Sequence, residues 1–296
     1  MAIDTSAATE INVFEQFTVD WNENEGTAWC FWRPQPRGCF NSEVLAGICD
    51  LPQRLPVEQI RAAAAAGEPN FVVFGSRIPG TYNLGGDLAL FKRLIKAGDR
   101  AKLEEYALAC IDAVYLAHTC AGLPMTSIAL VQGTALGGGM EAALACNVIV
   151  AERGAQMGLP EVMFNLFPGM GAYSFLSRRL GPAETERLIL GGKIWSAEEL
   201  HELGVVDVLA EPGEGEQAVI DYIANKRRRS PNAVVAMQSV RQAVSPITYD
   251  ELERVTQIWV DAAMRLSERD LKIMDRLVRS QDKAGSRTAQ HANGQC

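Results

Sequence analysis

The sequence predicts a soluble α/β protein with parallel strand pairing and a helical C-terminal region. Three observations predict it. Over the first half of the chain, short β-branched and apolar runs alternate with amphipathic stretches of helical period, which implies parallel strands joined by right-handed crossovers. Beyond residue 152 helical periodicity dominates, with VVDVLA (205–210) the clear exception. The composition, 296 residues with 48% hydrophobic, 22% charged, 26 Gly and 13 Pro, is that of a folded globular chain and not of a collagen, a coiled coil or a disordered segment.

The elements follow in order. Residues 1–10 are polar and small and are expected to form a flexible N-terminus. INVFEQFTV (11–19) and AWCFW (28–32) read as strands, and a helix over 42–66 ends in an alanine run. NFVVFGSRI (70–78) is apolar and β-branched, hence a buried strand, and 86–119 has the period of a surface helix. SIALVQ (127–132) and NVIVAE (147–152) are strands on either side of a short helix over 138–146. Leu252, Val255, Ile258, Trp259, Ala262 and Leu266 recur at helical spacing over 249–266. No repeat or low-complexity linker divides the chain. The expected organisation is one core over 11–245, a helical region over 246–280 and a disordered tail over 281–296.

Charge and motif content exclude several classes. The net charge is −8, with Lys and Arg scattered among acidic residues, so no nucleic-acid partner is expected. MAIDTSAATEINVFEQ has no basic n-region and no apolar core, so it is not a secretory signal, and a cytoplasmic location is expected. Ala113–Met140 lacks Asp, Glu, Lys and Arg, but it holds Pro124, five glycines and Gln132. It reads as helix end, buried strand and glycine turn, with no membrane span. Seven cysteines without a CxxC pair, and three isolated histidines, predict reduced thiols and no metal site. GGGM (137–140) runs into Glu141 and is no P-loop; Gly169-Met170-Gly171 has Ser174 where a dinucleotide fingerprint needs glycine; no GxSxG elbow occurs.

What the chain carries is a constellation of glycine turns and carboxylates. VQGTALGGGMEAALAC (131–146) reads as a buried strand, a triple-glycine turn and a helix whose first turn holds Glu141. Unpaired N–H groups at a helix start suit a developing oxyanion, while the plain alternative is a turn that lets helix and strand pack closely. Leu84-Gly85-Gly86-Asp87 is a second such turn, equally readable as a helix start capped by Asp87. Glu161 follows Pro160 inside an apolar run, where a carboxylate tends to keep its proton and suits general acid–base work; the structural alternative is a glutamate bonded to nearby amides.

NLGGDL (83–88), ALGGGMEAAL (135–144) and GLPEV (158–162), in this order, resemble the crotonase, or enoyl-CoA hydratase/isomerase, superfamily from about residue 68 to 245. The resemblance implies a crotonase-like spiral of β-β-α units and trimers or dimers of trimers. It implies Glu141 and Glu161 as catalytic acid and base, and N–H groups of Leu84 or Gly85 and of Gly138 as an oxyanion hole for a thioester carbonyl. YNLGGDLALF (82–91), LPEVMFNLFPGMGAYSF (159–175), IWVDAAM (258–264) and MDRLVR (274–279) are similar to bacterial diffusible-signal-factor synthases of the RpfF type.

That narrower resemblance implies dehydration of a 3-hydroxyacyl thioester on acyl carrier protein, then hydrolysis to a cis-2-unsaturated fatty acid signal. It places Leu136, Met170 and Trp259 along the acyl chain and implies no cofactor beyond the thioester carrier. Some relatives bind a sensor kinase, which adds a possible partner. CoA-using crotonases carry a Phe/Lys stretch in their final helices, where this chain has RLSERDLKIMDRLVRSQ (265–281), which weakens CoA as carrier. A plain enoyl-CoA hydratase or isomerase, and a regulatory binding protein, are the rival readings. Lys92, Arg93, Lys96, Arg100 and Lys102 read either as a solvated face or as a dock for an acidic carrier protein.

Overall fold

The computed structural model describes the backbone of residues 9–10 and 14–292 and the side chains of 14–279, 281 and 282. The chain opens with an antiparallel ribbon, β1 (Thr9–Glu10), β2 (Phe17–Asn22) and β3 (Thr27–Trp32), followed by α1 (Ser42–Cys49) and α2 (Val57–Ala65). Three strand–strand–helix units come next. They are β4 (Asn70–Ser76), β5 (Thr81–Asn83), α3 (Leu88–Ala97) and α4 (Arg100–Thr119); then β6 (Met125–Val131), β7 (Thr134–Leu136) and α5 (Gly138–Ala145); then β8 (Val148–Glu152), β9 (Gln156–Gly158), α6 (Ala172–Leu180) and α7 (Pro182–Gly191). The remainder is β10 (Ile194–Ser196), α8 (Ala197–Glu202), β11 (Val208–Ala210), α9 (Gly215–Arg229), α10 (Pro231–Val244), α11 (Tyr249–Ala263) and α12 (Glu268–Ala292).

The first strand of each unit joins one large sheet, in the order β1-β2-β3-β4-β6-β8-β11, parallel from β3 onward. The second strand of each unit joins a small sheet, β10-β9-β7-β5, whose β5, β7 and β9 run parallel. This is the mixed α/β architecture expected from the alternating pattern, with the β-β-α units that the resemblance implied. The central strands β3, β4, β6 and β8 are buried along nearly their whole length because both faces are covered. Phe71, Val73, Ile128, Leu130, Val148 and Val150 face α9 through Val219 and Ile223, while Val72, Phe74, Ala129 and Ile149 face the main core with α1, α4 and α5.

Five expectations need correction. The helix expected over 42–66 is two helices, because Pro52 and Pro56 cannot supply the amide donors a helix interior needs; the link is a short 3-10 turn, Leu51–Arg54. The helix expected over 86–119 breaks at Gly98, which closes α3 in the left-handed conformation (φ 66°), and Asp99 then caps α4 through the Lys102 amide. The strand expected over 11–19 begins at Phe17, with 11–13 outside the described residues. Of the N-terminus expected to be flexible over 1–10, Thr9 and Glu10 pair with Trp21 and Asp20, and 1–8 lie outside the described residues. The tail expected to be disordered from 281 is helical through Ala292, with Gln281 buried; only 293–296 lie outside the described residues.

The other elements lie where periodicity put them, to within three residues at each end. Lys226–Arg229 close α9, and Asp87 caps α3 by accepting the amides of Ala89 and Leu90. The six described cysteines are unpaired. No helix among the described residues is long and apolar enough to cross a membrane.

Candidate active site

The small sheet assembles the site. Its parallel strands β5, β7 and β9 end side by side and deliver three turns to one place: Leu84–Asp87 after β5, Gly137–Gly138 after β7, and the 3-10 turn Pro160–Phe164 after β9. The ends are tied together, since the Gly137 amide donates to the Gly158 carbonyl at 2.8 Å. Glycine is required at two of these positions for different reasons. Gly137 has φ 53°, and a Cβ there would stand 2.5 Å from Glu161 Oε1. Gly139 has an ordinary conformation, but its Cβ would collide with the Asn83 carbonyl oxygen, so the start of α5 can lie against β5 only without a side chain.

Glu141, in the first turn of α5, is 1% exposed. Its Oε1 accepts the backbone amides of Met170 at 2.7 Å and Ala172 at 3.0 Å. Glu161 Oε2 is buried without a hydrogen-bond partner among the described residues. Burial raises the pKa of both carboxyls. The two amides oppose the rise at Glu141 by stabilising its charge, whereas the neighbouring charge of Glu141 pushes Glu161 up further. Both carboxyls are therefore biased toward the protonated form, and Glu161 holds its proton more firmly than Glu141.

Both carboxyls line a narrow cavity of about 80 Å³ together with Leu84, Gly85, Leu136, Gly138, Met170 and Trp259, so all eight residues singled out in the sequence meet there. Met170 Sδ packs on Gly138, where a Cβ would be 2.5 Å away, and Trp259 packs on Gly169 and edge-on against Phe91 at 5.1 Å between ring centroids. A larger cavity, about 1060 Å³, opens between α4, α6, α10 and α11, but neither glutamate nor glycine turn reaches it. Among the described residues no group of His, Cys, Asp and Glu is placed to hold a metal.

Two of the amides expected as oxyanion donors have partners within the fold. The Leu84 amide donates to the Gly38 carbonyl at 2.7 Å and the Gly85 amide to Asn83 Oδ1 at 2.8 Å, so both are engaged within the fold. Gly138 lies in the first turn of α5, whose leading amides have no preceding helical carbonyl, and it packs on Gly85 and Gly86.

The fold agrees with comparison to known proteins. The model of the enoyl-CoA hydratase/isomerase family matches residues 67–270. The chain belongs to the enoyl-CoA hydratase/isomerase family. Mitochondrial methylglutaconyl-CoA hydratase of Rattus norvegicus is 30% identical over 195 residues, which are 65% of this chain and 58% of that enzyme. The peroxisomal fatty acid beta-oxidation multifunctional protein AIM1 of Arabidopsis thaliana is 37% identical over 135 residues, 46% of this chain and 18% of that protein. The chain thus spans less than two thirds of the length of these relatives. Among solved structures, Pseudomonas aeruginosa DspI superposes with a TM-score of 0.66 at 28% identity, over 84% of this chain and 97% of that one. Enoyl-CoA hydratase of Bacillus halodurans superposes with a TM-score of 0.70 at 19% identity, over 88% of this chain and all of that one, a likeness of fold alone.

In this member of the enoyl-CoA hydratase/isomerase family two features escaped sequence reasoning. Leu277 and Gln281 of α12 line the cavity, and Gln281 Nε2 donates to the Leu84 and Gly86 carbonyls, both at 2.9 Å. No local signal marks them, because their partners lie nearly two hundred residues earlier. The basic cluster on α3 and α4 is also used internally. Lys92 pairs with Asp275, Lys96 with Glu268 at 3.3 Å, Arg100 with Asp261 at 2.9 Å and Lys102 with Asp99 at 3.1 Å. Two of these four pairs fasten α12 across α3, while Lys96, Arg100 and Lys102 keep 45%, 45% and 70% of their side-chain surface exposed.

Proposed function

We propose that this chain is a 3-hydroxyacyl-thioester dehydratase with thioesterase activity. Its substrate is carried on acyl carrier protein, and it releases a cis-2-unsaturated fatty acid of the diffusible-signal-factor type. The observation that carries the reading is the pair Glu141 and Glu161, buried in one narrow apolar cavity, with two backbone amides favouring the charged form of Glu141 and that charge favouring the neutral form of Glu161. Dehydration needs this state: a carboxylate takes the C2 proton while a carboxylic acid protonates the departing 3-hydroxyl. The enolate oxygen is held by the Gly138 amide and by the Leu84 amide, which exchanges the Gly38 carbonyl for the substrate oxygen. The same donors stabilise the tetrahedral intermediate when water attacks the thioester, expelling the carrier thiol and leaving the free acid.

Leu136, Met170 and Trp259 give the apolar wall that an acyl chain needs. The strings in 82–91, 159–175, 258–264 and 274–279 support the narrower activity, and RLSERDLKIMDRLVRSQ supports a protein carrier over CoA. The trimeric assembly is proposed with it; α10 leaves Met237, Val240 and Val244 exposed, which suits burial at a subunit contact.

The second reading, reversible hydration of an enoyl-CoA, is favoured by the name of the rat relative. Parallel assays separate the two. Loss of the thioester with release of free thiol from a 3-hydroxyacyl carrier protein supports the proposal, whereas interconversion of enoyl- and 3-hydroxyacyl-CoA with the thioester intact supports the second reading.

A further inference from the structure

Gln281 is 2% exposed, and its amide is fixed by its surroundings. Both Nε2 hydrogens are used, one on the Leu84 carbonyl and one on the Gly86 carbonyl. A flipped amide would press its oxygen against two carbonyl oxygens, so nitrogen and oxygen are assigned by chemistry. Oε1 is left buried, with no partner among the described residues, in a side chain that lines the same cavity as Glu141 and Glu161. A buried acceptor without a donor is costly, and its presence in a ligand cavity implies a donor supplied by the ligand. The helix that carries it is firmly placed. Arg37 bridges Asp87 at the turn and Asp282 on α12, Lys92 holds Asp275, and Leu277 lies one turn before Gln281 on the cavity side.

We infer that Gln281 is a substrate-binding residue that clamps the Leu84–Gly86 turn with its amide nitrogen and offers Oε1 to an O–H or N–H donor of the bound acyl thioester. The inference rests on the proposed function for the class of ligand. An acyl thioester has no donor at its reacting carbonyl. Its donors nearest the thioester are the 3-hydroxyl, which the dehydration consumes, and the amide N–H groups of the pantetheine arm. In the first case Gln281 selects 3-hydroxyacyl over saturated chains; in the second it selects the carrier arm and sets its depth.

The test is direct binding by calorimetry of unreactive thioether analogues to the full chain, wild type and Gln281→Leu. One analogue carries both the 3-hydroxyl and the pantetheine amides, one lacks the hydroxyl, and one lacks the amides. Gln281→Leu should bind the complete analogue roughly 10–100-fold more weakly, as expected for a lost hydrogen bond in a buried site. The penalty should shrink to within about twofold for the analogue that lacks the donor concerned, which identifies it. A purely structural role would weaken all three alike, and a uniform ratio overturns the inference while leaving the dehydratase reading intact. If the variant does not fold, the wild type alone decides: it must bind the complete analogue at least about tenfold better than one of the others. Equal wild-type affinity for all three overturns the inference, and no wild-type binding of any analogue overturns it together with the proposed function.

Discussion

The Met170 amide donates to Glu141 Oε1 at 2.7 Å, joining the first turn of α5 to the segment that precedes α6. This bond, with its companion from Ala172, biases a buried pair of carboxyls toward one charged and one neutral member. It leaves the charge more readily on Glu141 and the proton more readily on Glu161.

Glu141→Gln and Glu161→Gln should each lower the dehydration rate by about 10²–10⁴, because each role falls to one group and the cavity holds no third carboxyl. Circular dichroism should match the wild type. Single variants with near wild-type turnover would mean that the chemistry lies elsewhere.

The same pair should impose a pH dependence on stability. Both carboxyls have folded pKa values raised above the ordinary 4.5, so the unfolded chain ionises first and the fold loses stability as pH rises from 4.5 through the raised values. Glu161→Gln removes the group with the larger rise. The Tm gain of the variant over wild type should therefore be greater at pH 8 than at pH 5, by roughly 2–4 °C for each kcal/mol of relieved cost. A gain independent of pH would show that Glu161 is not titrating in the fold.

Much of the site was legible in the sequence because its chemistry is local. Glu141 sits four residues after Gly137, Glu161 follows a proline in an apolar run, and the glycine turns adjoin strands. What was not legible depends on distant contacts or on single residues. Gly98 splits α3 from α4 by one left-handed residue, which a periodicity window averages away. The amides of Leu84 and Gly85 look free in a linear reading, yet the fold gives them Gly38 and Asn83. The polar stretch from 281 reads as a disordered tail until the Leu84–Gly86 turn and Arg37 supply partners for Gln281 and Asp282.

Gly139→Ala tests the close approach of α5 to β5. Its methyl group would meet the Asn83 carbonyl, a backbone atom that cannot swing aside. Destabilisation of about 1–3 kcal/mol or more is expected, with loss of activity. Gly154→Ala is a useful control, because its added carbon meets nothing nearby and only the positive φ of 81° opposes it. Chemical denaturation of the two variants gives the comparison, and a Gly139→Ala protein as stable as the wild type would contradict the packing described.

Reversing Lys92 and Lys96 to glutamate should loosen α12, since both side chains face acids on that helix. Each exposed pair contributes only about 0.2–1 kcal/mol, but reversal adds repulsion. Because α12 brings Leu277 and Gln281 to the cavity, kcat/KM should fall for carrier-bound and short synthetic thioesters alike. Hydrogen exchange of α12 should quicken in parallel. A loss confined to the carrier-bound substrate would restore these lysines to a docking role.

The most direct measurement of the central claim is mass spectrometry of the products formed from a 3-hydroxyacyl carrier protein in heavy-oxygen water. Dehydration followed by hydrolysis predicts a free 2-unsaturated acid with one heavy oxygen in its carboxyl group, and none of it with Glu141→Gln or Glu161→Gln. A thioester that stays on its carrier and gains heavy oxygen only at the 3-hydroxyl would contradict the account and identify a hydratase.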